Sequence, residues 1–353
     1  IEFSRSDDFA TTHTISPYIM KLKTGVTKEG KLTARQIAVI GDCSSHTTMA
    51  AGVLHFGLVT ALCHLQKVPN IKYDGYLVYT NNPARAGLRR GLTNPEVTWA
   101  VESQMDMIAE KLEMDPTELR LNNLFEQGET SILGWKLDSY GLPECIKKST
   151  VAANWSEKRK KKVPNRGIGM ACVAHVTGAI CWGEIESEAV HLVGQEDGSF
   201  TLYTGCSELG TGVWTIAQQV TAEILGTRLE DIRIVGGDTS NSPFGQGCWG
   251  SRGAYSLGNA TKLAALDMKK QLFELAASML EASVDDLDAK DGQIFIKKAP
   301  AKKVSIAKVA DYGLWYKGKV LMSKGLWKQP LKPVDPVTGK YEPPGISTSY
   351  PFA

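Results

Sequence analysis

The sequence predicts an α+β fold shared between two domains, and three observations predict it. Segments with the two-residue alternation of strands and segments with the i, i+3, i+4 spacing of helices occur in both halves. A chain of 353 residues with 42% hydrophobic content can bury two cores. A block of charge, Glu157-Lys158-Arg159-Lys160-Lys161-Lys162, interrupts the apolar patterning between them. Such a block reads as a solvated connection, which sets the expected divisions at 1–156, a linker at 157–166, and 167–353.

In the first part, Tyr18–Leu22 and Leu32–Ile40 flank a Lys28–Lys31 turn and predict a hairpin. Gly25-x4-Gly30-Lys31 imitates a phosphate-binding loop there, but Leu32 stands where that loop needs a metal-binding Ser or Thr. An apolar helix is expected from about Thr47 to Gln66 and a strand at Tyr76–Tyr79. A second helix is expected at Val97–Leu112, with Val101, Met105, Ile108 and Leu112 on one face. Asp115-Pro116-Thr117-Glu118 combines an N-cap acid with a proline at the first helical position, so a short helix starts there and ends near Asn123. Beyond the basic run, Gly167–Gly178 is rich in Gly, Ala and Val, narrow enough for a close backbone approach.

The second part is organised around Ser199–Leu280. Phe200 and Leu202 alternate with polar residues as in a half-buried strand, and the chain then breaks into Gly205-Cys206-Ser207-Glu208-Leu209-Gly210-Thr211-Gly212. Val213, Ile216, Ala217, Val220 and Ile224 define a helix that Gly226 caps, and Ile232–Val235 is the next strand. After Gly236-Gly237-Asp238-Thr239 comes a second loop, Gly245-Gln246-Gly247-Cys248-Trp249-Gly250-Ser251-Arg252-Gly253, and a helix from about Tyr255 to Leu280. Two glycine loops that each feed a helix start direct backbone N–H groups and a positive dipole end at an anion such as phosphate. Gly245-x-Gly247-x-x-Gly250 also fits a dinucleotide fingerprint. It lacks the strand directly before it and the acid ~20 residues later that the fingerprint needs, because Asn241-Ser242-Pro243 precedes it and Asp267 lies inside a helix. Further on, Val284–Leu287 and Lys290-Asp291-Gly292 predict a helix end and a hairpin, and Pro330–Pro344, with five prolines, an irregular surface segment.

Composition excludes several classes. A net charge of +2 gives no nucleic-acid footprint. The seven cysteines include no C-x-x-C pair, so zinc-ribbon and iron–sulfur ligand runs are absent, and their scatter through apolar segments predicts reduced thiols in a cytoplasmic protein. Met49–Leu62, the longest mildly apolar run, is too short to span a bilayer, and nothing at the start reads as a signal peptide.

Strand, Gly-Cys-Ser-Glu-Leu-Gly-Thr-Gly and helix, then Gly-Gly-Asp-Thr, then Gly-Ser-Arg-Gly before a long helix, resemble the molybdopterin-binding large subunit of the xanthine dehydrogenase/aldehyde oxidase family of molybdenum hydroxylases. The likeness extends to Thr80-Asn81-Asn82-Pro83 through Arg89-Arg90-Gly91 with Glu102 beyond, to the Leu119–Asn123 helix end, and to Arg5–Gly25. It implies mixed sheets with packed helices of the large-subunit type, with parts of two molybdopterin-binding domains. The implied activity is oxidation of an aldehyde or N-heteroaromatic carbon with water-derived oxygen. The implied cofactor is molybdopterin with molybdenum, with the cytosine dinucleotide form as a candidate in a bacterial source. Electrons would leave through an iron–sulfur subunit and an FAD subunit, and the remaining part of the large subunit would complete the assembly around a small-molecule substrate.

The expected cofactor contacts are Gly205, Cys206, Ser207, Glu208, Gly210, Thr211 and Gly212 in the first loop, and Gly250, Ser251, Arg252 and Gly253 in the second. Glu208 has two readings, a ligand-facing acid or an acid serving the helix dipole. Trp249 and Cys248 line a pocket or pack in the core. Arg89 and Arg90 are the catalytic candidates, because a guanidinium can orient a substrate oxygen or carboxylate; counting from Pro83 selects Arg89, and counting back from Pro95 selects Arg90. His175, on an apolar strand, reads as a core histidine ahead of a catalytic base.

Departures from the resemblance matter as much. Thr211 replaces the family's loop glutamine, and the family's Gly-Glu-Pro-Pro catalytic glutamate is missing; Glu342-Pro343-Pro344 follows Tyr341 and lies too early. The absent Cys-Ser-Phe-Arg loop argues against the carbon monoxide dehydrogenase branch. These gaps predict that the chain cannot complete an active site alone. They also keep open a noncatalytic cofactor-carrying or assembly subunit and a plain nucleotide-binding protein.

Overall fold

The computed structural model describes residues 3–45, 54, 65–82, 86–87, 89–161, 163–175 and 187–328. These fall into two compact units, one up to residue 175 and the other from residue 187. The expectations for Pro330–Pro344, for Glu342 and for most of the 47–66 helix lie outside the described residues.

In the first unit, α1 (Arg5–Thr11) and β1 (Thr14–Ile15) lead into β2 (Tyr18–Val26), β3 (Leu32–Ser44) and β4 (Ile71–Tyr79). β2 and β3 form the expected hairpin, with Tyr18 opposite Gly41, and β4 runs parallel to β3. A two-residue strand, β5 (Ala86–Gly87), pairs with β1. Then α2 (Asn94–Lys111) buries Val97, Val101, Met105 and Ala109, while Ile108 and Leu112 stay partly buried at the margin of the stripe. In α3 (Pro116–Leu121) the Asp115 carboxylate accepts the Thr117 N–H at 2.7 Å, as an N-cap should. The unit continues with α4 (Leu142–Ala152) and α5 (Trp155–Lys160).

The basic run is therefore largely helix inside the first unit. Trp155 anchors it: the ring is buried, its N–H donates to Asp115 at 3.0 Å, and the Arg159 guanidinium lies over it at 5.4 Å. Lys158, Lys160 and Lys161 are exposed beyond that anchor.

The second unit carries a four-stranded sheet in the order β12-β6-β7-β8, from β6 (Ser187–Gly194), β7 (Phe200–Thr204), β8 (Ile232–Gly236) and β12 (Met322–Lys328). β6 is antiparallel to β7 and β12, and β7 is parallel to β8 through α6 (Val213–Leu225). Val190, Leu192, Phe200, Leu202 and Ile232 face Val213 and Ala217 of α6 and Ala260, Ala264, Met268 and Leu272 of α7 (Gly258–Leu280) in one core. The expected Tyr255 helix start is a π-helical turn, Gly253–Leu257, before α7. A meander of β9 (Leu287–Lys290), β10 (Gln293–Ile296) and β11 (Ala299–Ser305) includes the hairpin expected at Lys290–Gly292, and α8 (Ile306–Lys317) precedes β12.

Candidate cofactor site

Thr204, the last residue of β7, pairs with Gly236, the last of β8, so both glycine loops depart from the carboxyl edge of one parallel pair. In α/β sheets that edge is where ligands bind, because helix starts and loop N–H groups collect there. The loops touch through backbone. A Cβ on Gly205 would lie 2.5 Å from both the Gly245 nitrogen and the Pro243 oxygen, so a side chain there would force the loops apart. Gly210 (φ +84°) and Gly212 (φ +75°) have nothing within 4 Å of a Cβ, and neither does Gly247 (φ +85°). Space and left-handed backbone thus coincide on both sides of the contact.

Packing fixes the first loop from beneath. Cys206 is buried, its N–H donates to the Thr204 hydroxyl at 3.1 Å, and its carbonyl accepts the Trp214 indole N–H at 2.8 Å. Ser207 stands exposed beside Gly237. The Glu208 carboxylate accepts the N–H groups of Gly212 at 3.0 Å and Trp214 at 3.2 Å. Those bonds, Trp214 foremost, hold its carboxyl below the ordinary range. Of its two readings, the helix-serving one is what this geometry displays. Thr211 reaches Glu208 at 3.4 Å and the Cys248 sulfur at 3.4 Å, tying the loops again.

The second loop is held from inside the unit. Arg252, expected as a phosphate contact, is 1% exposed. Its Nη1 donates to Glu188 Oε2 at 2.8 Å and to the Gly247 carbonyl at 2.7 Å, and its Nη2 to the Ser187 carbonyl at 2.6 Å. The guanidinium shapes the loop instead of presenting charge to solvent. Gly250 (φ +58°) and Ser251 (φ +56°) adopt left-handed backbone, and Gly253 sits against Val213 at the start of α6. The Trp249 indole N–H donates to the Gln246 carbonyl at 2.9 Å. Leu209 and Phe244, 61% and 78% exposed, flank the two loops with apolar surface.

Glu188, which sequence reasoning missed, had one usable signal: it shares the inward side of β6 with Val190 and Leu192, where an acid needs a buried partner. The arginine candidates lie in the first unit. Arg89 pairs with Glu96 at 2.5 Å beside a cavity of about 400 Å³ lined also by Tyr18 and Trp99, and Arg90 is exposed in the turn before α2. His175 is shifted towards the neutral form by burial, with Nδ1 3.3 Å from Asn94 Nδ2. Among the described residues, no three His, Cys, Asp or Glu side chains converge as a metal-ligand set, and no helix is long and apolar enough to cross a membrane. The paired open loops fit a ligand held by backbone contacts rather than by side-chain coordination.

Residues 144–353 match the family model of a molybdopterin cofactor-binding domain, and residues 1–124 match another of that description. A putative xanthine dehydrogenase molybdenum-binding subunit of Escherichia coli is 30% identical over 85% of this chain and 40% of its own length. The carbon monoxide dehydrogenase large chain of Afipia carboxidovorans is 27% identical over 99% of this chain and 44% of its own. The chain thus spans less than half the length of these relatives. In fold it is similar to quinoline 2-oxidoreductase from Pseudomonas putida 86, with a TM-score of 0.81 at 20% identity over 99% of this chain and 46% of that one.

Proposed function

This chain belongs to the xanthine dehydrogenase/aldehyde oxidase family of molybdenum hydroxylases, and we propose that its second unit holds molybdopterin between the loops Gly205–Gly212 and Gly245–Gly253. The observation that supports this most directly is the backbone contact of Gly205 with Gly245 at the carboxyl edge of β7 and β8, flanked by the open glycines Gly210, Gly212 and Gly247. Backbone around Gly210, Gly250 and Ser251 meets the pterin and its phosphate, in the cytosine dinucleotide form if the source is bacterial. Arg252 positions the second loop from below, and Cys206 and Gly253 set the spacing of the loops. Thr211, shorter than the family's glutamine, turns its hydroxyl to Cys248.

The bound molybdenum centre supplies oxidation of an aldehyde or N-heteroaromatic carbon with oxygen from water. In the first unit, Arg90 is the arginine left to meet a substrate oxygen or carboxylate, since Arg89 is already paired with Glu96. An iron–sulfur subunit and an FAD subunit would take the electrons, and the rest of a large subunit would cover the apolar rim at Leu209 and Phe244.

Molybdenum and pterin analysis of the intact protein tests the site. Gly205→Val, which drives a side chain into Gly245, should abolish pterin content, and Gly210→Val should lower it through strain at φ +84°. Full pterin content in both variants would remove the loops from consideration. With pterin retained, Arg90→Met should lower kcat/KM by a factor of about ten to a thousand and Arg89→Met by less; equal small effects would return both to the surface.

A further inference from the structure

From Lys297 to Lys328 the chain carries nine lysines, no arginine and one acid, Asp311, although its net charge overall is only +2. Lys302 and Lys303 lie on β11, an edge strand, and with Lys298 and Lys308 they are exposed and have no ion pair among the described residues. The α8 helix that follows β11 buries Ile306, Val309, Ala310 and Gly313. Its outward side runs Lys308, Tyr312, Trp315 and Tyr316, at i, i+4, i+7 and i+8. Trp315 is 70% exposed and Tyr316 74%, and Val320 and Met322, just past the helix end, are exposed too. The aromatic stripe is ordered by its own contacts: the Tyr312 and Tyr316 rings stack with centroids 5.8 Å apart, and Lys317 Nζ stands 5.4 Å over the Tyr312 ring. Lysines on an edge strand serve to prevent further strand pairing. Aromatic side chains turned to solvent on the next helix have no such use.

We propose that the outward side of α8, with the lysines around it, docks the second unit peripherally on a membrane surface rich in anionic phospholipid. The chemistry of the patch selects that partner. Trp and Tyr combine an apolar ring with a polar tip and suit the headgroup layer, where Lys reaches a lipid phosphate at the end of a long stem. Protein interfaces enrich Arg and deplete Lys, and recognition of a single phosphate in fixed geometry favours the guanidinium fork. A stretch with nine lysines and no arginine offers point charges to a diffuse negative surface instead. The attachment is peripheral because the other side of α8 belongs to the core of the unit, so only the exposed rings enter the headgroup layer. This docking is independent of the cofactor reading above.

The test is flotation of the intact purified protein with vesicles of phosphatidylcholine alone, or of phosphatidylcholine and phosphatidylglycerol in equal parts, at low and high salt. Binding is expected to the mixed vesicles only, and it should weaken as salt rises. Lys308→Gln and Lys317→Gln should each lower the partition coefficient about fivefold, and Trp315→Ala about tenfold. All three side chains are exposed, so the variants keep the fold, which circular dichroism checks. Lys21→Gln with Lys23→Gln, exposed on β2 of the first unit, removes comparable charge elsewhere and should change little. No flotation with the mixed vesicles, or equal flotation with both kinds, overturns the proposal. So does an equal loss from the β2 pair, which would leave only unspecific attraction. Binding of an oligodeoxythymidylate that Trp315→Ala removes, with none to vesicles, would overturn the lipid surface in favour of a single-stranded nucleic acid.

Discussion

Among the described residues each unit buries one arginine–glutamate pair, and the two pairs do different things. In the first unit Arg120 Nε meets Glu102 Oε2 at 2.7 Å, while Nη1 donates to the Pro116 carbonyl at 3.0 Å and reaches Asp106 at 2.9 Å. Glu102 also accepts Gln66 Nε2 at 2.7 Å and the Cys172 N–H at 2.7 Å. Apart from the exposed Asp106, these bonds end on buried partners of the same unit, and Asn123 bonds the Leu32 N–H and the Gly30 and Leu119 carbonyls. In the second unit the Arg252–Glu188 pair ends on the Gly247 carbonyl of the loop itself. One pair joins core to core; the other joins core to a site. Residues that look like ligand contacts by type, such as Arg252 or Glu102, can therefore serve architecture, and their bonding partners decide which kind of architecture it is.

The largest effect should come from Arg120→Met. Removing one member of a fully buried pair leaves Glu102 as an unpaired interior charge, at a cost of about 3–5 kcal/mol. Denaturant unfolding of the first unit measures it. A loss no larger than that of an exposed pair such as Lys148–Glu144 would break the contrast drawn between core and site.

Arg252→Met should cost less, about 2–4 kcal/mol, because the loop it releases can relax towards solvent and rehydrate part of what it loses. Its effect on pterin should be the greater of the two, since Gly247 and its neighbours lose their support. The comparison sharpens if pterin content falls in Arg252→Met at temperatures where the unit stays folded, while Arg120→Met keeps pterin in proportion to its folded fraction. The reverse ranking would dissolve it.

Periodicity carried the elements whose partners are near in sequence: the Tyr18–Ser44 hairpin, the Asp115 cap, and the strand, loop and helix from Phe200 to Leu225. It also brought the two glycine loops into view together. It could not place Arg252, because the partner that decides its role is 64 residues away on β6, and a basic residue after Gly-Ser reads locally as an anion contact. Neither β12 nor its pairing with β6 had a local signature, because Met322–Lys328 mixes exposed apolar and basic residues at an edge strand. The basic run read as a linker because its anchor, Trp155 on Asp115, is a contact across 40 residues.

The smallest effect tests the other end of the loop comparison, where Glu208 caps α6 from outside the core. Its folded carboxyl lies below the ordinary range through the Trp214 and Gly212 N–H groups, so the sign is fixed. The stabilisation is present above the unfolded value of about 4.3 and is lost as pH falls through the folded one. In Glu208→Gln a neutral amide replaces the carboxylate and that pH-linked part disappears at every pH. Thermal unfolding should then show a slightly less stable variant at neutral pH and convergence with the parent in acid. The same substitution asks what occupies the α6 start when cofactor is bound, because Glu208 now takes the N–H groups that a phosphate would need. If pterin affinity rises in Glu208→Gln, the acid competes with the cofactor there; if it falls, the capped loop is the shape the cofactor requires, and the contact is made by the open faces of Gly210 and Gly212. Unchanged stability across the pH range would show that the cap contributes nothing, leaving Arg252 as the principal side chain that fixes the loops.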